Sequence, residues 1–146
     1  MTTPSPPAAE SELAAATWAG LRSLVLDKHS RRTEITEALG MSFIRAKALR
    51  RLARGELSMR ALAQEMATDA SYTTLVVDDL CRRGFVTREP HPSDRRRKIV
   101  RITDDGRAAA AVADQILAEP PASLLDLSPA DLAALNRIVG SLVEGR

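Results

Sequence analysis

Apolar positions recur along this chain at intervals of three and four over most of its length. The places where that rhythm fails divide it into elements. Residues 1–10, MTTPSPPAAE, hold three prolines and almost no large apolar side chain, and read as a disordered tail. From Ser11, a good N-cap, Leu13, Thr17, Leu21, Leu24 and Val25 mark a helical stripe that Trp18 and Leu26 widen, ending at the polar pair His29 and Ser30. Residues 33–39 form a second segment, stopped by Gly40. Ser42 caps a third helix to Arg54, with Phe43, Ala46, Leu49, Leu52 and Ala53 inward and Gly55 as the stop. Its outer face carries Arg45, Lys47, Arg50, Arg51 and Arg54, a pattern that suits a solvated surface and phosphate contact equally.

Residues 58–103 carry the most informative pattern. Met59, Leu62, Ala63 and Met66 make one stripe on a two-turn helix, and Thr73, Val76, Val77 and Leu80 repeat the spacing after the break Ala67-Thr68-Asp69-Ala70. Neither helix alone can bury its stripe, so the two must pack on each other, and the short break forces a steep crossing: a helix-turn-helix. Ser71, Tyr72, Thr74, Leu75, Asp78 and Arg82 are left facing outward on the second helix. Hydroxyls there suit base edges or phosphates, and apolar atoms suit thymine methyls. Gly84 stops that helix. Residues 85–88 and 99–103 are β-branched or aromatic enough for two antiparallel strands. Pro90 and Pro92 predict that the loop between them, 89–98, cannot lengthen the ladder and must project.

Thr103 caps the next helix, with Asp104 and Asp105 in its first turn and Ala108, Ala109, Val112, Ala113, Ile116 and Leu117 as a narrow face for close approach. Pro120-Pro121 ends it, and Leu124, Leu125 and Leu127 form an apolar connection. Ser128-Pro129-Ala130-Asp131 starts a last helix carrying Leu132, Leu135, Ile138, Val139, Leu142 and Val143. The expected fold is mainly α with a small β-hairpin wing: a winged helix-turn-helix core at 33–103, flanked by a helical dimerisation region at 11–32 and 104–146. A two-fold dimer answers a physical need, because one recognition helix buries too little for useful affinity, whereas two copies read a pseudo-palindrome.

Charge sharpens this picture. The chain carries only +2 overall, but residues 82–101 hold eight basic side chains against two acidic, a local +6, while 102–146 balance to −4. Double-stranded DNA is therefore the expected partner. Arg82, Arg88, Arg95, Arg96, Arg97 and Lys98 are the candidate phosphate and minor-groove contacts, and Asp94 is a carboxylate that pairs with one arginine to fix the wing. Aromatics at 3% leave a core of Leu, Val, Ile, Met and Ala. No apolar run approaches the roughly 18 residues of a membrane span, and no signal peptide precedes the fold, so a cytoplasmic location without membrane contact is expected. No phosphate loop, metal-spaced His/Cys set or nucleophile elbow is present, and neither an enzyme nor a cofactor or metal is expected. Cys81 reads first as a semi-buried filler and second as a redox-sensitive thiol whose pKa Arg82 and Arg83 lower. Trp18, Met41 and Phe43 read first as core and second as an effector cavity between the helical and winged parts.

Several stretches together resemble the MarR family (multiple antibiotic resistance regulators) across roughly residues 11–143. They are Leu57-Ser58 with Leu62-Ala63, Leu80 with Arg83-Gly84-Phe85-Val86, Asp94-Arg95-Arg96, and Ile102-Thr103-Asp104-Asp105-Gly106-Arg107. The resemblance implies a homodimeric winged-helix regulator, usually a repressor relieved by a small molecule or an oxidant. It makes residues 71–79 the recognition helix and sends Arg95 or Arg96 into the minor groove. The chain departs from that pattern at Leu75 and near Asp79, where the family commonly carries long polar side chains, and at Pro120-Pro121, which shortens a helix. A winged helix used for protein–protein contact through Tyr72 and Leu75 is the competing reading.

Overall fold

The computed structural model describes residues 7–145. Helix α1 (Ala8–Arg22) runs into a π-helical turn, Ser23–Lys28, and α2 (Arg32–Leu39) follows. Ala8–Glu10 are thus helical instead of belonging to the expected tail; residues 1–6 lie outside the described residues. Gly40 ends α2 in the left-handed conformation at φ +62°, the geometry for which the sequence supplies glycine. Next come α3 (Phe43–Leu52), β1 (Leu57–Ser58), α4 (Met59–Glu65) and α5 (Ala70–Arg82). Strands β2 (Val86–His91) and β3 (Asp94–Ile102), then helices α6 (Asp104–Ala118), α7 (Ala122–Leu125) and α8 (Pro129–Glu144), complete the chain.

The expected helix pair forms for the expected reason. Thr73, Val76, Val77 and Leu80 are all buried, and the last three share one core with Leu62 of α4, Met66 just after it, Leu49 and Leu52 of α3, and Ala109 and Ala110 of α6. The N-caps of α4, α5, α6 and α8 are side-chain acceptors: Ser58 to Ala61 N, Asp69 to Tyr72 N, Thr103 to Gly106 N and Ser128 to Asp131 N. Ser42 differs; its hydroxyl takes a bond from the Arg45 guanidinium at 2.8 Å instead of capping α3.

The sheet departs from the sequence reading twice. It has three strands, in the order β1-β3-β2, because Leu57 and Ser58 pair with Val100 and Ile99. The hairpin ladder also runs to its tip, with Pro90 opposite Lys98 and His91 opposite Asp94, so residues 89–91 and 94–98 are strand and not projecting loop. Pro90 is tolerated because β2 is an edge strand, where alternate residues turn their nitrogens outward and a proline need not cost a ladder bond. Pairing becomes irregular just beyond it, between Pro90 and His91.

Helix α6 packs against α2 and α3, burying Gly106, Ala109, Ala110 and Ala113, whereas Ala108 and Val112 of the predicted face are exposed. The close helix approach that its alanines permit is thus made within the chain. Helices α1 and α8 bury no residue at all; Leu13, Trp18, Ile138, Leu142 and Val143 are among their exposed apolar side chains.

Candidate nucleic-acid interface

Three elements converge on one surface. Helix α5 turns Ser71, Tyr72, Thr74 and Leu75 to solvent, the hairpin extends beside its C-terminal half, and β1 brings the start of α4 against β3. The helix departs from a bare basic groove-binder in how its charges are settled. Asp79 is only 17% exposed and gathers three guanidinium groups: Arg45 at 2.7 Å, Arg83 at 3.0 Å and Arg82 at 3.2 Å. The bond from Arg83 holds its carboxyl below the ordinary 3.8, burial opposes that, and Arg45 adds to the lowering. Arg45 therefore faces α5 instead of the solvent or phosphate expected for it. Asp78 of α5 and Arg88 of β2 pair at 2.8 Å, so neither is a free groove contact; their bond joins the helix to the wing.

The wing keeps its cations. Asp94 Oδ1 accepts from the backbone N–H of Arg96 at 3.0 Å, while its other oxygen stands 3.9 Å from Arg97. Its carboxylate thus closes the turn mainly through the backbone. At the same tip the His91 ring nitrogen accepts from Ser93 N–H at 3.1 Å. Among the described residues the side chains of Arg95, Arg96 and Lys98 have no acidic partner, and all are exposed. Arg82 reaches Asp79 yet remains 74% exposed. The sequence reading passed over Arg60. With Ser58, Met59, Arg97 and Lys98 it lines a recess of about 430 Å³ between α4 and the wing. The strand that creates this recess is two residues long, so only the basic residue on the outer face of α4 could have signalled it.

Cys81 is half-buried, and burial pushes its thiol up from the ordinary 9.0, with Arg88 opposing and Asp78 reinforcing. The expected lowering by Arg82 and Arg83 does not occur, because those guanidiniums are turned to Asp79. Trp18, Met41 and Phe43 do not share a cavity. Met41 belongs to the main core, and Trp18 lies in an apolar groove with Leu13, Leu21 and Leu142. Phe43 alone lines a cleft, of about 420 Å³, between the π-helical turn, the start of α2 and α7. Arg32 stacks 4.7 Å above its ring, and Arg31 donates to the Glu119 carbonyl at 3.0 Å across the cleft mouth. No helix among the described residues is long and apolar enough to cross a membrane.

Residues 39–97, the span from the end of α2 through the wing arginines, match the model of the MarR family. Over that span the chain resembles the MarR family. Solved structures repeat the winged-helix fold over nearly the whole chain. YusO from Bacillus subtilis superposes with a TM-score of 0.68 at 22% identity, covering 97% of this chain and 100% of its own. The transcriptional regulator BldR from Sulfolobus solfataricus gives 0.62 at 25% identity, with 93% and 99% covered. Sco3205 from Streptomyces coelicolor, a MarR family regulator solved in complex with DNA, gives 0.58 at 24%, with 99% and 92% covered. No curated protein matches the sequence.

Proposed function

We propose that this protein is a MarR-type transcriptional regulator: a non-enzymatic, cytoplasmic homodimer that binds a pseudo-palindromic double-stranded operator and represses transcription until a small molecule releases it. The observation that carries the DNA-binding reading is the wing, where Arg95, Arg96 and Lys98 stand exposed and unpaired on a ladder that reaches the tip. Cations held on a stiff ribbon suit a narrow minor groove, whose negative potential they meet without first breaking ion pairs. Arg97, Arg82 and Arg60 extend the same charge toward the flanking phosphates. Sco3205, caught on DNA, supports the reading by its fold. The dimer is supported by the exposed apolar faces of α1 and α8. The cleft beside Phe43 is the proposed effector site, in place of the Trp18–Met41–Phe43 set.

The salt dependence of binding tests this reading. Affinity for a duplex recovered from a random pool should fall steeply with salt, with a log–log slope of about −0.9 per phosphate neutralised. Arg95→Ala with Arg96→Ala should weaken binding across sequences and flatten that slope by about two. An unchanged slope in the double variant would sink the wing assignment. Tyr72 and Leu75, exposed side by side, favour protein–protein contact as the second reading, which predicts a partner bound with little salt dependence. The redox alternative loses its support, since a thiol raised by burial is less the thiolate at neutral pH.

A further inference from the structure

The middle of helix α5, from Thr74 to Asp79, is short of free polar groups. With Thr73, Val76, Val77 and Leu80 buried, helical geometry puts Ser71, Leu75, Asp78 and Arg82 along the opposite, outermost line. Leu75 stands in the middle of that line, 55% exposed, with Tyr72 beside it at 40%. Of the polar side chains around them, Thr74, Asp78 and Asp79 are engaged within the protein, while the Ser71 and Tyr72 hydroxyls stand exposed. Thr74 Oγ1 donates to the Ala70 carbonyl at 2.9 Å, so its hydroxyl proton is spent and it can only accept. Asp78 holds Arg88, and Asp79 holds Arg45, Arg82 and Arg83. Of the hydroxyls expected to suit base edges or phosphates, that of Thr74 is thus left to accept only, and the centre of the helix presents a leucine and the ring of a tyrosine.

The surroundings of this apolar centre are cationic. Arg95, Arg96 and Lys98 lie on the wing, and Arg82 ends the helix. That charge fits a polyanion, and the one apolar feature a duplex displays in its major groove is the 5-methyl group of thymine. We propose that Leu75, flanked by Tyr72, reads thymine methyl groups in each half-site, so that the centre of the recognition helix selects bases by apolar contact. This rests on the DNA-binding reading above. Burying one methyl is worth about a fourfold change in affinity, which is enough to rank neighbouring sites.

The test uses the full-length protein and a duplex recovered by selection from a random pool. Each thymine is replaced in turn by 2′-deoxyuridine, which removes only the methyl, and binding is followed by fluorescence anisotropy at fixed salt. At one or two positions per half-site the wild-type protein should lose about fourfold in affinity. Leu75→Ala, an exposed change that leaves the core intact, should bind the thymine duplex more weakly and no longer distinguish uracil at those positions. Selective binding that ignores uracil at every position overturns the proposal and leaves DNA binding standing. Selected half-sites that lack thymine, or a Leu75→Ala protein that keeps the uracil pattern, overturn it as well. Failure to retain any duplex at low salt removes the DNA-binding reading itself and this inference with it.

Discussion

Gly106 has no room for a side chain. A Cβ there would overlap the carbonyl oxygen of Phe85 and press on Ile102, because the first turn of α6 lies directly on the chain leaving α5. On helix propensity alone alanine would be favoured by up to about 1 kcal/mol. The contact reverses that sign: Gly106→Ala is expected to cost about 2–4 kcal/mol, visible as a loss of roughly 5–15 °C in thermal unfolding. Asp79 makes a different demand. Its folded pKa is depressed, so its contribution is fully present above the unfolded value near 3.8 and fades as pH falls through the lower folded value. Asp79→Asn should therefore destabilise by about 1–2 kcal/mol at pH 7, and urea titrations should show the two proteins converging as the pH is taken below 3.8. The signs of these charges are plain in the sequence, and so are Arg82 and Arg83 one turn beyond Asp79. That Arg45 arrives from another helix, or Arg88 from a strand, is decided only by how the elements cross.

Helix α5 and its partner α4 were readable because a spacing of three and four has one solution, a stripe that must be covered. Strand β1 was not, since two residues have no periodicity and their partners lie far along the chain. Prolines misled for a related reason: they forbid a central strand, and nothing local says that β2 lies at an edge. Missing β1 also hid Arg60, which that strand sets beside Arg97 and Lys98. Arg60→Ala is expected to weaken binding uniformly across duplex sequences and to reduce the salt slope by about one, without changing the selected site. A change in base preference would instead place Arg60 at a base edge. The proposed reading separates the hairpin from the helix in the same way, assigning affinity to exposed cations and choice to the outer line of α5.

The molecule presents its terminal helices without a covering layer. Among the described residues, the winged core, closed on α6, accounts for every buried hydrophobic side chain, and α1 and α8 account for none. A dimer built on these faces should be concentration-dependent in its melting temperature. Trp18→Glu with Leu142→Glu, set in the same apolar groove, should shift sedimentation to the monomer and lower operator affinity at least about a hundredfold, because bivalent engagement is lost. A dimer that survives both changes would move the interface elsewhere. The sequence revealed these faces as apolar helices but assigned α6 to the same layer. Alanines fit equally against a neighbour in the chain or in a second copy, and their spacing does not distinguish the two.

One residue ties these scales together. The Thr103 hydroxyl donates to the Gly84 carbonyl at 2.7 Å and accepts from Gly106 N–H at 3.1 Å, while its own N–H reaches the Phe85 carbonyl at 2.9 Å. The end of the recognition helix, the returning strand of the wing and the start of α6 are thus fastened at a single point. In mechanical terms α6 is an arm of about 22 Å, from its 15 residues, clamped at the end where α5 and β3 meet it and touched by Arg31 at the other. Tilting such an arm by five degrees moves its clamped end by about 2 Å relative to the far one, and α5 and β3 travel with it as one piece. In the proposed dimer, the separation between the two grooves engaged would then be gauged by the inclination of one helix.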